Sequence, residues 1–404
     1  MKKTLLTICL TWMCFSLSAQ KIIDLSGKWS FSIDRQDNGE KEKWFSHTLN
    51  DCINLPGSMP EKLKGDEVTA KTQWTGSLYD SSYYYNPYME KYRKEGNIKF
   101  PFFLTPDKHY VGAAWYQKEV NIPADWKGER ILLFLERPHI ETTVWVNGQK
   151  TGMQNSLCVP HQYDITRYVR PGKCTITIRV DNRIKEINVG PDSHSITDQT
   201  QGNWNGIVGR ICLQTTPKTY FDDIQIYPEP EQKLARVKVV IKGAGITKIK
   251  LSAESFNTDK KHIVPAIQQE IKLNKGVTET EMVLPMGNDM LLWDEFHPAL
   301  YKLKAEVTNG KKTEIKEIQF GMRRFEIKGK WFYVNGRKTQ LRGTVENCDF
   351  PLTGYAPMDV ESWERVFRIC RSYGLNHMRF HSFCPPEACL LYTSPSPRDM
   401  RRSR

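Results

Sequence analysis

The sequence predicts a mainly β protein: two successive antiparallel sandwiches, then the opening of a parallel strand–helix–strand unit. Three observations carry this. Short alternating runs bounded by Gly, Pro and Asn fill residues 21–319, with no long amphipathic helix among them. Asn147-Gly148 and Asn335-Gly336 each follow an apolar run and read as hairpin turns. From residue 359 the period changes to that of a helix, and a further apolar run follows it.

The first unit is expected over residues 20–219. Trp29 to Ile33 alternates, Arg130 to Glu136 carries an apolar run, Thr142 to Val146 leads into the first hairpin, and Cys174 to Val180 alternates again. The Tyr-rich stretch Tyr79 to Tyr92 fits neither period and reads as a long surface loop. The second unit, 220–320, shows alternating strands at Arg236–Ile241, Lys248–Ser255, Glu279–Leu284, Tyr301–Val307 and Lys312–Phe320. About 100 residues with that many strands suits an immunoglobulin-like sandwich, one without an internal cysteine pair. The third unit, 321–388, begins with the hairpin at Asn335-Gly336 and a strand from Gln340 to Val345. Asp359 can then cap a helix with Val360, Trp363, Val366, Phe367 and Cys370 on one face, and Gly374 can end it. Leu375 to Phe380 reads as a buried strand, parallel to the one before the helix.

The two ends read differently from the middle. Lys2 and Lys3 precede the mostly apolar Leu5–Leu17, and Ser18-Ala19-Gln20 offers a small-residue cleavage site, so residues 1–19 are expected to be a signal peptide. The bulky Thr11-Trp12-Met13 before Cys14 argues against lipid attachment there. Secretion to a bacterial periplasm or cell surface is the expected destination. Cys389 to Asp399 back-translates to a transposase sequencing adapter, so residues 389–404 are expected to be a non-native tail, and the coding sequence to be cut near Ala388.

Across 404 residues, 39% are hydrophobic, and no run past the N-terminus is long enough to cross a bilayer. The formal charge of +12 shrinks once both ends are set aside, and the basic residues are scattered, so nucleic-acid binding is not indicated. Seven cysteines lie between the two ends, an odd number without a CxxC spacing, which argues against a zinc site. One incidental disulfide is compatible with an oxidising compartment. His139, His161 and His194 lack metal-ligand spacing and read as ordinary surface or turn residues.

Several segments, in order along the chain, resemble glycoside hydrolase family 2, the β-galactosidase/β-glucuronidase group. They are Leu25-Ser26-Gly27-Lys28-Trp29, Leu55-Pro56-Gly57-Ser58-Met59, Ala114-Trp115-Tyr116-Gln117-Lys118, Trp145-Val146-Asn147-Gly148 and Tyr163-Asp164-Ile165-Thr166. Next come Asn203-Trp204-Asn205-Gly206-Ile207 with Arg210, Leu292-Trp293 with Pro298-Ala299-Leu300-Tyr301, and Val334-Asn335-Gly336 through Leu341-Arg342-Gly343. Asn376-His377-Met378-Arg379-Phe380-His381-Ser382 closes the set. The resemblance spans residues 21–388. It implies a jelly-roll sugar-binding sandwich, an immunoglobulin-like sandwich and the truncated start of a (β/α)8 TIM barrel.

The resemblance also implies a carbohydrate substrate and retaining hydrolysis of O-glycosidic bonds, which needs two carboxyl groups about 5–5.5 Å apart. In the family both are glutamates, on about the fourth and seventh barrel strands. This chain reaches the second, so no catalytic residue is expected within it, and the fragment is expected to be inactive. Arg379 falls where the family places an arginine beside the nucleophile, and His381, Glu346 and Asn347 fall in its substrate-contact region. Val345-Glu346-Asn347-Cys348 departs from the histidine-containing loop of many members, which leaves the sugar undefined. Asp198 and Asn203 are expected to bond sugar hydroxyls, and Trp204 to stack on a sugar face or join the core. No organic cofactor is implied; a magnesium or sodium ion rests on family analogy alone. A homo-oligomer is compatible with the reading. The alternative is a non-catalytic carbohydrate-binding sandwich protein, which does not explain the parallel unit at Gln340–Ser382.

Overall fold

The computed structural model describes residues 20–76, 82–100, 106–185, 193, 196–198, 202–347, 350, 353–381 and 383–393. The expected signal peptide, His194, Cys348, Asp349, Ser382 and the tail from 394 onward lie outside the described residues.

The first unit is a two-layer antiparallel sandwich. One layer orders Ile22–Asp24, Gly206–Thr216, Arg130–His139 and His161–Asp164, with Gly57–Ser58 added against Gly206–Thr216. The other orders Gln149–Asn155, Glu141–Val146, Gly172–Asp181, Ala113–Ile122, Gly27–Asp34 and Asp51–Leu55. Alternation explains the core. Trp29 and Phe31 from one strand, Ala114 and Tyr116 from its neighbour, and Leu133 and Leu135 from the opposite layer all point inward and are buried. Each such aliphatic side chain contributes about 1.5–3 kcal/mol on burial. Asn147-Gly148 makes the expected hairpin, with both residues at positive φ (50° and 76°).

The Tyr-rich stretch is not simply a loop. Ser82–Tyr85 is a helical turn and Pro87–Arg93 a 3-10 helix, capped by Asn86, whose side chain accepts from Tyr88 N at 2.9 Å. Tyr83, Phe100 and Trp74 pack there into a small aromatic core, with Tyr83 and Phe100 stacked at 4.6 Å. The period is lost because the buried residues come from three separated segments.

The second unit departs from the expected strand count. Arg236–Ile241 and Lys248–Ser255 are two halves of one strand, Leu234–Phe256, and Ile263–Pro285 is likewise continuous. Both bend at glycines: Gly243 and Gly245 in the first, Gly276 in the second, all at positive φ. The bend turns one hydrogen-bonded sheet into two facing layers. Tyr220–Glu229 pairs with the first half of Leu234–Phe256, while Leu300–Asn309 pairs with its second half and with Lys312–Phe320. Val237, Val239, Ile249, Leu251, Tyr301 and Leu303 fill the space between.

The third unit opens with the expected hairpin, Trp331–Val334 with Arg337–Thr339, turned by Asn335 and Gly336 at φ 50° and 78°. Gly343–Glu346 and His377–Phe380 then pair in parallel, joined by the helix Val360–Ser372. Asp359 caps that helix as expected, accepting from Ser362 N at 2.7 Å, and Gly374 follows its end at φ 75°. Trp363 is 1% exposed, packed among Phe350, Phe367, Phe380 and Phe383. Val360 and Ile369 on the same helix stay exposed. The helix Glu387–Thr393 runs across the expected junction at 388, with Ala388 and Cys389 buried against Trp363.

Candidate functional site

In a parallel sheet the loops after the strands' C-terminal ends form the usual site face. Here those are the segments after Glu346 and Phe380. The first sandwich lies against both. Tyr355, in the segment after Gly343–Glu346, donates to Glu61 Oε2 at 2.8 Å. Its ring meets Trp204 at 5.6 Å. After His377–Phe380, Arg137 Nη2 donates to Pro385 O at 2.8 Å, and Arg210 pairs with Glu387 at 2.6 Å. Between these contacts lies a cleft lined by Arg137, His139, Cys158, Trp204, Tyr355 and Cys384, among others.

The local sequence explains why Trp204 projects there. Asn203 and Asn205, on either side, are 3% and 0% exposed. Asn205 donates to Gly112 O and Val180 O and accepts from Tyr116 Oη at 2.8 Å. Asn203 donates to Thr75 Oγ1 at 2.8 Å and Asn182 O at 3.0 Å, and accepts from His139 Nε2 at 3.1 Å. With both asparagines pinned inward, the residue between them faces out. Half-buried Trp204 stacks on His139, ring centroids 4.5 Å apart at 24°. Burial pushes the His139 imidazole down to about 4, so it is neutral near pH 7.

The expected sugar-binding residues are thereby sorted. Asp198 and Asn203 do not offer free polar atoms to a ligand. Asp198 accepts from Thr75 N at 2.7 Å, Asn203 N at 2.8 Å and His109 Nε2 at 3.2 Å. A carboxylate so occupied ties the loop to the sandwich, and Asn203 positions His139. Trp204 keeps its place at the cleft. His139 and His161 are not surface residues: they are 5% and 0% exposed. No composition or spacing signal marks His139, because its burial depends on a loop some 65 residues later in the chain.

In the parallel pair, Val345 is opposite Arg379 and Glu346 opposite Phe380. Paired residues of a parallel ladder share a face. Phe380 packs toward the helix on Trp363, so Arg379 lies on the other, open face with Val345, and both are exposed. Glu346 is half-buried, Asn347 exposed, and the half-buried His381 donates its backbone N–H to Glu346 O at 2.8 Å. The strand ends therefore gather Glu346, Asn347, Arg379 and His381 at one end of the pair. Trp204 approaches from the sandwich, while Asp198 and Asn203 stay behind it.

Glu136 is also buried here; it accepts from Arg210 N at 2.8 Å, and burial raises its carboxyl. The Arg210 guanidinium stands by both Glu136 and Glu387, so these two acids form a structural bridge. A wider polar cleft elsewhere in the first unit has its charges paired among themselves, Arg35 with Asp66 and Arg183 with Asp37. Among the described residues no group of three or more His, Cys, Asp or Glu is placed to hold a metal ion.

Known proteins give this geometry its context. The sugar binding domain model of glycosyl hydrolases family 2 matches residues 22–217, and a second model of glycosyl hydrolases family 2 matches 219–323. The chain belongs to glycosyl hydrolase family 2. It is 25% identical over 301 residues to a beta-galactosidase of Thermoanaerobacter pseudethanolicus, covering 70% of this chain and 38% of that protein. It is 23% identical over 394 residues to the human beta-glucuronidase, covering 88% of this chain and 53% of the relative. Its fold is similar to the crystal structure of Ruminococcus gnavus beta-glucuronidase, with a TM-score of 0.66 at 18% identity, covering 94% of this chain and 57% of that one. The chain thus spans about half the length, or less, of these family members.

Proposed function

We propose that the chain is the leading part of an exported retaining glycoside hydrolase of the β-galactosidase/β-glucuronidase type. In this reading the first two units are a jelly-roll and an immunoglobulin-like sandwich, and the third opens a (β/α)8 barrel. The observation that carries it is the parallel strand–helix–strand unit whose C-terminal loops meet the first sandwich at Trp204. A carbohydrate-binding sandwich alone has no need of that unit. The acid/base and nucleophile would come from later strands, so the chain as it stands is expected to be inactive.

Arg379, on the open face beside Val345, would orient the nucleophile and hold its pKa low by charge pairing. Glu346, Asn347 and His381 would contact the sugar, and Trp204 would wall the pocket from the sandwich side. Periplasm or cell surface is the proposed destination, on the strength of Lys2, Lys3 and the Leu5–Leu17 run.

The test is to read the source DNA onward from the codon for Ala388 and express the longer product. An open frame through six further strands, and hydrolysis of a p-nitrophenyl β-galactoside or β-glucuronide with retained configuration, supports the reading. Native codons for Cys389–Arg404 followed by a stop would sink it and favour the binding protein.

A further inference from the structure

The wide polar cleft of the first unit lies at the same end of the sandwich as Trp204. Asp34 pairs with Ala113, Ala113 with Asp181, and Asp181 with Glu141 in one layer. His139 pairs with Gly206 in the other, and the chain crosses between layers from His139 to Glu141. Asp34 and Ala113 line the wide cleft, and His139 lines the Trp204 cleft. The two share a wall. His109, which lines the wide cleft, donates to Asp198 at 3.2 Å, and Asn203 N donates to the same carboxylate at 2.8 Å. The residue after Asn203 is Trp204. Fully buried Asn182 accepts from Gly112 N on the wide-cleft side and donates to Asn203 O on the other.

The wide cleft encloses about 470 Å3, within the range of about 300–1,000 Å3 found for small-molecule sites. Its charges balance. Arg35 pairs with Asp66, Lys108 with Glu67, and both Arg179 and Arg183 with Asp37. Asp34 spends its oxygens on Asn38 N, Gly39 N and Trp115 Nε1. A polyanion would meet the carboxylates, and a bare cation would meet the arginines and the lysine. The pairs nevertheless leave atoms over. Arg35 directs both its bonds to Asp66 Oδ1, so Arg35 Nη1 and Asp66 Oδ2 are not used. Arg183 bonds through Nε and Nη2, and Gln73 through Nε2, so Arg183 Nη1 and Gln73 Oε1 are not used either. Two donors and two acceptors thus border one neutral cleft. A hydroxyl both donates and accepts, so a ligand dense in hydroxyls satisfies both kinds at once.

We propose that the wide cleft is a second carbohydrate subsite, which holds the inner residues of a neutral oligosaccharide whose terminal sugar lies at Trp204. The ligand class rests on the glycoside hydrolase reading above, and it makes a glycan chain, not a small glycoside, the substrate. The experiment is isothermal titration calorimetry on the full chain, which needs no hydrolysis. The probes are β-1,4-galactotetraose, cellotetraose and xylotetraose, with tetragalacturonate as the acidic counterpart. At least one neutral tetrasaccharide is expected to bind at least about tenfold more tightly than its own monosaccharide and than tetragalacturonate. The double variant Arg35→Ala, Gln73→Ala changes two exposed side chains and should weaken that binding by about tenfold or more with the thermal midpoint unchanged. Binding of none of the three neutral probes, tighter binding of tetragalacturonate, or full affinity in the double variant would overturn the proposal. The two readings fail separately. A chain that binds none of the probes while the extended protein hydrolyses p-nitrophenyl glycosides loses the subsite and keeps the enzyme. Binding that depends on Arg35 and Gln73, beside an inactive extended protein, does the reverse.

Discussion

Burial holds His139 and His161 neutral, each with its proton affinity pushed down to about 4. His161 donates from Nε2 to Ser156 O, and its other nitrogen accepts from the Thr142 hydroxyl at 2.6 Å. In the unfolded chain an imidazole takes up its proton near 6.5. Between those values the unfolded state binds more protons, so stability falls as pH falls from about 6.5 to 4. Each histidine is expected to cost up to about 3 kcal/mol across that window. Urea unfolding at pH 7 and pH 4.5 measures it, and the His139→Gln, His161→Gln pair should flatten the difference. Asp181 titrates in another window. It is fully buried and bonds Arg179, Arg183 and Lys185, and although burial opposes it, these cations hold its carboxyl far below the ordinary range. Its stabilisation is present above the unfolded carboxyl's pKa and is lost only in stronger acid. Asp181→Ala, which leaves Arg179 buried and short of a partner, is expected to destabilise by about 3–5 kcal/mol in denaturant unfolding. At this level the sequence told only half. The inward bonding of Asp198 and Asn203 is not legible, because nothing local in the sequence reveals Thr75 and His109 as their partners.

Strands and hairpins were more legible, because their signals are local. Asn147-Gly148, Asn335-Gly336 and Asp359 with Ser362 each carry their geometry in two to four adjacent residues. The long strands of the second unit were misread as separate pieces, since a glycine within a period-2 pattern reads as a reversal. At Gly243 and Gly245 the chain bends and continues. Close approach is decided by glycine elsewhere too. Gly206 sits at φ 148°, and a Cβ there would lie 2.5 Å from Gly57 O, where Gly57–Ser58 pairs with the start of Gly206–Thr216. Gly206→Ala is expected to cost about 1–3 kcal/mol, by overpacking against a backbone that cannot yield. A thermal melt read on the first unit would show it, and an unchanged midpoint would mean the strand pair can spread. For the helix Val360–Ser372, Asp359→Ala removes the cap and should cost about 1 kcal/mol. Circular dichroism alone is a weak probe of so short a helix; hydrogen exchange at Ser362 reads it directly.

The chain divides into well-covered and poorly covered parts. Each sandwich encloses its own core, whereas the third unit leaves Ile327, Trp331, Val345 and Ile369 exposed. Limited proteolysis of the purified chain is therefore expected to trim from the C-terminal side and leave a resistant piece ending near residue 320. Survival of the third unit at equal protease would show that the contacts at Glu61, Arg137 and Arg210 suffice to hold it. Those contacts carry no local signal in the sequence, as each joins residues more than 170 positions apart. They also bear on the order of events during synthesis. Chains emerge from the ribosome N-terminus first, and domains fold as units while they do so. Glu61, Arg137 and Arg210 are therefore already fixed in a finished sandwich when Tyr355, Pro385 and Glu387 appear. The nascent parallel strands thus meet a template that catches the loop after each one.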